Sequence, residues 1–537
     1  KSRISYPSLD IKMKFLILAV LALGVSAKEI GKCQVTQWGP WSQCHPSRLC
    51  ASEIPDVEHT TYHLPAAKYD EGREHMNILL KMKGDHWKKQ EECMKDEACK
   101  ADVIPSFLGE TPCENGMADR YPCRNIDIES FLNFAEMGYT DLIVPDIRAR
   151  GNDIWGWTDP ETEDEYALMG ISGGTAFVRI TNPKEPEPLA FLPTRTFAST
   201  WRDHKVIDNT LYMVSEAADH GLQVFDLLKL RGMQAGPIQL GPEDIVTYSQ
   251  FGNAHNIVAN EETKMLYVVG ATRGNYNHCE GGLHVINVTS RLEPVFAGCF
   301  AEDGYVHDAQ CVNYHGPDTR YQGREICFCY NENTFTIVDV QDKRNMTLIS
   351  KTGYIGYQYT HQGWLTEDHT IALLDDELDE NRDPVKNTKT YLWDITNLAE
   401  PELKNTFLSS QEAIDHNQYV KGEFVYQANY RAGLRVLHID QANFDLNEVA
   451  YLDTYPDNTI AEFDGAWSVY PYFPSGTVVV ASIDYGLFTV RPDYEAMEEQ
   501  KNMLHSERTR SRSVVSCAKD IATPALEGHA SCAHPVC

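Results

Sequence analysis

Two kinds of short, β-rich segment alternate seven times along this chain, and no other feature limits its fold as strongly. Segments of the first kind occupy 165–170, 211–216, 266–271, 325–330, 370–375, 423–428 and 477–482. Each is followed by a segment of the second kind, at 176–180, 222–227, 283–288, 335–340, 390–395, 434–439 and 487–492. Both kinds are rich in β-branched and aromatic residues, which favour strands. The chain is therefore predicted to contain seven copies of one β unit.

A third, weaker strand follows in most copies, as in "PVFAGCF" and "NEVAYLD". A period of about 50 residues with four strands per unit is typical of a β-propeller blade. Two packed β-sandwiches are the alternative, but the regular period favours a ring. We therefore predict an all-β fold, a seven-bladed β-propeller of four-stranded blades that spans residues 113–492.

The last unit ends near Pro492, after its third strand. The stretch "NIDIESFLN", at 125–133, precedes the first unit and has the composition of a strand. If it supplies the outer strand of the last blade, the ring closes and no sheet edge stays exposed at the junction. We predict this closure.

The segments that precede the first-kind strands carry ionisable residues at equivalent positions. In chain order these are Asp153, Asp203, His255, His307, His361, His416 and Asp464. Their separations are 50, 52, 52, 54, 55 and 48 residues, close to the blade period. Each lies where one blade passes to the innermost strand of the next, and innermost strands line the central channel. The spacing predicts a ring of four histidines, closed by three aspartates, at one mouth of the channel.

Burying so many ionisable groups costs free energy unless they are paired or bind a metal ion. One interpretation is structural, with aspartate–histidine pairs that satisfy one another. The other is a metal site, because imidazole and carboxylate groups are ligands of Fe, Cu, Zn and Mn. The four histidines would then be the principal ligands. The aspartates would bind a second ion, orient the imidazoles or act as a base.

Turns between the two kinds of strand should emerge on the same face as the ring. Their first positions are acidic at Glu216, Asp375, Asp376, Glu377 and Asp484. These residues would bind calcium through oxygen ligands or support the histidines from outside; the alternative is a solvated loop. Nearby, Tyr305, Tyr359 and Trp364 would line a pocket or pack between blades.

The segment "MKFLILAVLALGVSA" begins at Met13 and has the pattern of a secretory signal peptide, cleaved after Ala27. Residues 1–12 are treated as leader. No later run reaches about 18 apolar residues, so we expect no membrane anchor. Fifteen cysteines fit an oxidising exterior, although their spacing does not give the pairing. Asn287 and Asn345 begin glycosylation sequons. We expect a secreted, extracellular glycoprotein.

The net charge of −31 argues against nucleic acid as a partner. Motifs such as GxSxG, HExxH and the phosphate-binding loop do not occur in the sequence. An extracellular protein or a small molecule remains the expected ligand.

Several long motifs are distinctive enough to carry a family resemblance. They include "NDIWGWTDPETEDEYALMG", "WRDHKVIDNTLYMVSEAADHGLQVFDL" and the LVIVD-like "FTIVDV". From about Cys113 to Pro492 the chain resembles the choice-of-anchor B, LVIVD-repeat proteins. This resemblance implies a secreted or surface β-propeller and says little about activity.

The flanks differ from that domain. Residues 28–112 are Cys-rich, and "VTQWGPWSQCHPSRLC", at 35–50, is similar to the start of a thrombospondin type 1 repeat. Residues 67–100 have a helical pattern. After the propeller, 493–537 is predicted to contain a short helix over 493–504 and a basic, Cys-containing tail. These flanks would pack together through disulfides or contact another chain.

Two functions follow. The first is a secreted, metal-binding propeller that acts as an extracellular binding or matrix protein. The second is a secreted metalloenzyme, a metal-dependent oxygenase or hydrolase with its active site at the ring. Openness discriminates between them, because catalysis needs a vacant coordination position and a pocket.

Overall fold

Seven four-stranded antiparallel sheets follow one another along the chain and form the blades of a β-propeller. The computed structural model describes residues 61–63, 69–93, 109–140, 149–271 and 279–506. Each innermost strand contacts the innermost strands of the two neighbouring blades, and that of blade 7 contacts that of blade 1. The predicted fold class is therefore confirmed, and the ring is closed.

Innermost strands line the channel. From blade 1 to blade 7 they are Gly151–Thr158, Arg202–Ile207, Asn256–Asn260, Asp308–Asn313, Thr360–Leu365, Asn417–Lys421 and Ala466–Tyr470. The second strands correspond to the first-kind segments and are almost wholly buried: Glu165–Ile171, Thr210–Ser215, Met265–Val269, Glu325–Tyr330, Ile371–Asp376, Phe424–Ala428 and Val478–Ser482. Burial on both faces explains their continuous apolar runs.

Third strands correspond to the second-kind segments: Gly174–Arg179, Leu222–Asp226, Leu283–Asn287, Phe335–Asp339, Asn387–Asp394, Leu434–Asp440 and Gly486–Pro492. Outer strands are more exposed and less regular, which explains their weak sequence signal. They are Glu187–Pro193, Ile245–Tyr248, Val295–Phe300, Thr347–Tyr354, Glu402–Glu412, Asp445–Leu452 and, in blade 7, Ile126–Asn133.

Blade 7 takes its outer strand from the N-terminal side of the propeller. Ile126–Asn133 pairs antiparallel with Gly486–Pro492. The Phe131 and Phe488 rings pack with centroids 4.7 Å apart, and both side chains are fully buried. The predicted ring closure is confirmed.

Short elements extend three blades at their outer edges. Tyr121–Arg124 and Met117–Ala118 continue blade 6, Thr61–His63 pairs with the outer strand of blade 4, and Ile238–Gln239 lies parallel to that of blade 1. Because these segments cover strand edges, they reduce unpaired backbone at the rim.

A 25-residue helix, Tyr69–Cys93, precedes the propeller, and a second helix covers 494–506. The first begins and ends inside the predicted range 67–100. Short helical turns lie within loops, at Leu227–Leu230, Pro242–Asp244, Cys279–Gly281, Asp379–Arg382 and Gln441–Asn443.

Three disulfides join cysteine pairs in the described part of the chain: Cys113–Cys123, Cys279–Cys299 and Cys311–Cys327. Cys329 is buried and carries a free thiol. Asn345 is exposed and Asn287 is half-buried. The predicted signal peptide, the thrombospondin-like segment and the terminal cysteines lie outside the described residues.

Candidate metal centre and channel

Four histidines stand side by side at one mouth of the channel. His255, His307, His361 and His416 lie at the starts of the innermost strands of blades 3 to 6, and each is at most 6% exposed. Successive ring centroids are 4.5, 4.2 and 4.5 Å apart. The strand register brings these residues together in the order that the sequence spacing predicts. We call this group the histidine arc.

Each imidazole in the arc is held through its Nδ1 atom. His307 donates from Nδ1 to the carbonyl of His361 at 2.8 Å, and His416 donates to the carbonyl of Trp467 at 2.6 Å. Since a carbonyl only accepts, the Nδ1 atoms of these two residues carry the proton. The Nδ1 of His361 lies 3.1 Å from Asp375, and that of His255 lies 3.2 Å from Glu216.

Burial lowers the pKa values of His307, His361 and His416 well below the ordinary range for histidine. Neighbouring positive groups contribute in the same direction. All three imidazoles are therefore neutral. Because Nδ1 holds the proton in His307 and His416, their Nε2 atoms present bare lone pairs.

Glu377 extends from the loop after the second strand of blade 5 to the arc. One of its oxygens, Oε1, lies 3.6 Å from Nε2 of His416, and the other, Oε2, lies 3.6 Å from Nε2 of His361. Ligand atoms of the three residues lie within 4.8 Å of one another. Neither contact is a hydrogen bond at this distance. These three residues can hold a metal ion.

Two buried acceptor atoms at this centre have no hydrogen-bond partner among the described residues: Nε2 of His307 and Oε2 of Glu377. Oε1 of Glu377, by contrast, accepts from the hydroxyl of Tyr430 at 2.5 Å and binds the ammonium of Lys83 at 2.5 Å. Leaving such atoms unpartnered is costly and needs an explanation.

The helix Tyr69–Cys93 covers the arc. Its buried side chains recur at helical spacing, at Met76, Leu79, Lys83 and Trp87. They pack against aromatic residues around the mouth, and the Trp87 indole donates to the carbonyl of Phe463 at 3.0 Å. We call this element the capping helix.

Lys83 is a buried cation on the face of the capping helix that packs against the arc. Its ammonium group lies 5.0 Å from the Trp467 ring centroid and 5.7 Å from that of Tyr430. Burial lowers the pKa of Lys83, while the charge of Glu377 raises it. Sequence reasoning placed a helix here but missed this contact. The apolar spacing around Lys83 was the available signal, since it places a lysine on the buried face.

The three aspartates do not close the arc. Asp203 binds the ammonium of Lys205 at 2.8 Å, and Asp153 lies 3.8 Å from it. Asp464 pairs with His86 at 2.9 Å and with Arg431. The predicted ring is therefore wrong at Asp153 and Asp203, which pair with Lys205, whereas Asp464 contacts the capping helix that covers the arc.

Strand register explains this difference. Three side chains accept a hydrogen bond from a backbone N–H group of the next blade's innermost strand. Asp153 accepts from His204, and Asp203 accepts from Ile257. The side chain of Gln362 accepts from Gln418 in the same way. The two aspartates are thus equivalent to Gln362, one position after His361. Bulges at the starts of Gly151–Thr158 and Ala466–Tyr470 also shift the pairing of blades 1 and 7.

The acidic turn after blade 5's second strand is buried, so it is not a solvated loop. Asp375 accepts from His361, Gln362 and Gln418, and Asp376 accepts from Tyr354 and the backbone N–H groups of Gln358 and Tyr359. Hydrogen bonds thus use both oxygens of each residue. Glu216 orients His255, and Asp484 accepts from Gln90 of the capping helix and from Gly465.

A cavity of about 420 Å³ occupies the channel beyond the arc. Aromatic side chains of blades 1, 5, 6 and 7 form one wall, at Trp155, Trp364, Tyr419, Tyr470 and Tyr472. Lys205 and Asp308 also line the cavity, and the Lys205 ammonium lies 4.5 Å from the Trp155 ring centroid. Burial, and then the charge of Asp203, raises the pKa of Asp308 to about 7. Trp364 therefore lines a pocket, whereas Tyr305 and Tyr359 pack with the capping helix.

No family model and no curated protein matches this chain. Among solved structures, a computationally designed protein, Ika8, is similar with 11% identity and a TM-score of 0.37, covering 63% of this chain and 82% of its own. A protein from Lactobacillus plantarum is 15% identical with a TM-score of 0.37, and the match covers 62% of this chain and 87% of that protein. A functionally unknown protein from Desulfotomaculum acetoxidans is 10% identical with a TM-score of 0.39, and the match covers 58% of this chain and 90% of that protein. These likenesses carry no functional argument.

The fold and site define a seven-bladed β-propeller with a buried histidine–carboxylate centre beneath a helix. The resemblance to LVIVD-repeat proteins stays a prediction. Within the described ranges, no helix is long and apolar enough to cross a membrane.

Proposed function

We propose that this protein is a secreted binding propeller that holds one Fe, Cu, Zn or Mn ion at His307, His361, His416 and Glu377, with His255 as a further ligand. One observation carries the proposal. Nε2 of His307 and Oε2 of Glu377 are buried and have no hydrogen-bond partner in the described part of the chain, although Nδ1 of His307 and Oε1 of Glu377 are hydrogen-bonded. Metal-binding histidines typically donate their other ring nitrogen to a carbonyl or carboxylate in this way.

The spacing of the donor atoms fits an ion. Zinc–nitrogen and zinc–oxygen bonds are about 2.1 Å long, so two ligands on a tetrahedral ion lie about 3.4 Å apart. The Nε2-to-carboxylate distances of 3.6 Å for His361 and His416 are close to this value. A mixed imidazole and carboxylate set suits transition metals better than calcium.

The surroundings favour a binding or structural role over catalysis. A catalytic ion needs an open coordination position that substrate can reach. Here the capping helix covers the arc, and His361, Glu377 and His416 are at most 2% exposed. An oxygenase or hydrolase function would require the capping helix to move away from the arc, so that substrate could reach the ion.

Elemental analysis by plasma mass spectrometry tests the proposal on full-length protein purified without a His-tag. We expect about one equivalent of transition metal in the wild type, and its loss in the His307→Ala/His361→Ala double variant. A His315→Ala/His438→Ala variant, which changes two histidines outside the arc, is the matched control. Metal retained in the arc variant, or no metal after reconstitution, would refute the proposal.

The channel cavity is the proposed site at which the propeller binds its ligand. Its aromatic wall suits a small ligand with an apolar or aromatic body. Because Trp155 and Trp364 line it, ligand binding should change tryptophan fluorescence, and a Trp364→Leu variant should reduce that change. A ligand with unaltered affinity for this variant would bind elsewhere.

Secretion is part of the proposal. The predicted signal peptide and the three disulfides support it, since disulfides persist in oxidising compartments. Expression in secretory cells should give a mature N-terminus at Lys28, and glycosidase treatment should reduce the apparent mass through Asn345. Retention of the intact precursor inside the cells would contradict it.

A further inference from the structure

The aromatic side chains of the channel cavity stand at steep angles to one another. The Trp155 and Tyr419 rings meet at 74° with centroids 5.8 Å apart, and the Trp364 ring meets that of Tyr419 at 67° and 5.0 Å. Tyr470 and Tyr472 meet at 75° and 5.4 Å. All five side chains line the cavity. Rings at such angles form the walls of a cage rather than a flat stacking platform.

One wall of this cage already lies against a positive charge. The ammonium of Lys205 is 4.5 Å from the Trp155 ring centroid, within the distance of about 6 Å at which an aromatic face attracts a cation. Asp203 binds the same ammonium at 2.8 Å and balances its charge. The cage therefore accepts a cation when a carboxylate lies close to it.

Two further carboxylates stand at the end of the cavity that faces away from the arc. Glu261 and Glu367 follow the innermost strands of blades 3 and 5, and both are exposed side chains that line the cavity. The backbone N–H of Gly422 donates to Glu367 at 2.7 Å and holds it in place. Since Asp203 balances Lys205, these two residues give the entrance a negative charge, which attracts cations and repels anions.

Amide and hydroxyl groups of the lining are already hydrogen-bonded to the backbone, which disfavours a ligand rich in hydroxyl groups. Gln362 donates to the carbonyl of Gln418 and accepts from its N–H, and Gln310 accepts from a backbone N–H of blade 5. The Tyr472 hydroxyl donates to the carbonyl of Val420 at 2.9 Å. The cavity thus offers a ligand aromatic faces and carboxylates.

We propose that the channel cavity binds a small quaternary ammonium compound, whose methyl groups pack within the aromatic cage and whose charge is balanced by Glu261 and Glu367. This inference rests on the proposed role of the cavity as a ligand site and names the class of that ligand. A methylated ammonium group combines an apolar surface with a positive charge, so it gains from burial and from cation–π attraction together. A primary ammonium is strongly hydrated and loses more on entry.

Calorimetric titration of the full-length protein with choline chloride tests the proposal. The matched probe is 3,3-dimethylbutanol, which has the shape of choline with a neutral carbon in place of the nitrogen. We expect choline to bind about tenfold more tightly than this alcohol and to change the fluorescence of Trp155 and Trp364. Equal affinities for the two probes, or no binding of choline, would overturn the proposal.

Two kinds of variant separate the rings from the charges. Trp364→Leu keeps an apolar side chain but removes one aromatic face and should weaken choline binding by about tenfold, whereas Trp364→Phe keeps a ring and should retain most of the affinity. The Glu261→Gln/Glu367→Gln variant should weaken choline binding by about fivefold and leave that of the alcohol unchanged. Glu302→Gln changes an exposed carboxylate outside the cavity and is the control. Wild-type choline affinity in all the cavity variants would overturn the assignment.

The same ammonium group occurs in free molecules and in the headgroup of phosphatidylcholine. We expect free choline to bind and phosphatidylcholine vesicles not to sediment with the protein, because Trp155 and Tyr419 lie inside the channel and are at most 8% exposed. Vesicle binding without choline binding would overturn the proposal. The proposed function has separate readouts, since metal content reports on the arc and fluorescence reports on neutral aromatic ligands.

Discussion

The ammonium group of Lys83 lies 2.5 Å from the carboxylate of Glu377, at the point where the capping helix meets the histidine arc. The two residues are 294 positions apart in the chain. Their pair keeps one oxygen of Glu377 occupied and leaves the other facing His361. Lys83 therefore acts both as an anchor for the helix and as a positive charge next to the proposed metal site.

Replacing Lys83 with Met should tighten transition-metal binding. The substitution removes a buried positive charge that repels the ion, while Tyr430 still orients Glu377. We expect the dissociation constant to fall by about tenfold, a change of about 1.4 kcal/mol, measured by competition with a chromophoric chelator.

The matched control is Lys81→Met, because Lys81 is an exposed residue of the same helix. It should leave metal affinity unchanged. Without metal, Lys83→Met should be less stable than the wild type, since Glu377 loses its buried partner. Equal metal affinities for both variants and the wild type would show that the Lys83 charge does not act on the site.

Trp87 should contribute strongly to the docking of the capping helix. Its ring packs 5.5 Å from that of Trp201, and its indole N–H binds the carbonyl of Phe463. Truncation to Ala should lower the free energy of unfolding by about 3–5 kcal/mol, or release the helix alone. Denaturant unfolding and hydrogen exchange of residues 75–92 distinguish these outcomes.

Ile78→Ala provides the comparison, since Ile78 is on the same helix and 42% exposed. It should change stability by less than about 0.5 kcal/mol. Equal, small effects for the two substitutions would mean that the helix is not held by its buried face.

Closure of the propeller ring should depend on Phe131. This residue packs on Phe488 in the strand pair that joins the two ends of the ring. Phe131→Ala should destabilise the protein by about 3–5 kcal/mol in denaturant unfolding. Phe197→Ala removes an equally large ring that is 72% exposed and should have little effect. A mild Phe131 phenotype would argue that blade 7 holds without its outer strand.

Acid should destabilise the propeller through two buried histidines of blade 2. Burial, and then the charge of Arg202, lowers the pKa values of His204 and His220 to about 3. Above the unfolded pKa of about 6.5 both states are neutral and stability does not depend on these groups. Below it only the unfolded chain takes up the protons, so stability falls as the pH falls towards 3.

Each group should add a slope of about 1.4 kcal/mol per pH unit between about pH 6 and pH 4. His204→Gln and His220→Gln each remove one titrating group, and each should flatten the slope by one proton. The slope comes from urea unfolding at a series of pH values. Identical slopes in the wild type and both variants would contradict this assignment.

Periodicity alone determined the blades, the closing strand Ile126–Asn133 and the register of the four histidines. Buried strands need continuous apolar runs, and a ring of similar units repeats these runs at a fixed interval. The pattern can therefore be recognised from the local sequence alone. The same reasoning was wrong for Asp153 and Asp203, because an offset of one residue gives a strand side chain a different partner.

Only the tertiary structure decided how the arc is completed. Lys83, Glu377 and Tyr430 come from a helix and two loops far apart in the chain, and no local period connects them. Burial and charge depend on which segments the fold brings together. The sequence shows which residues are present, and the closed ring determines which of them come into contact.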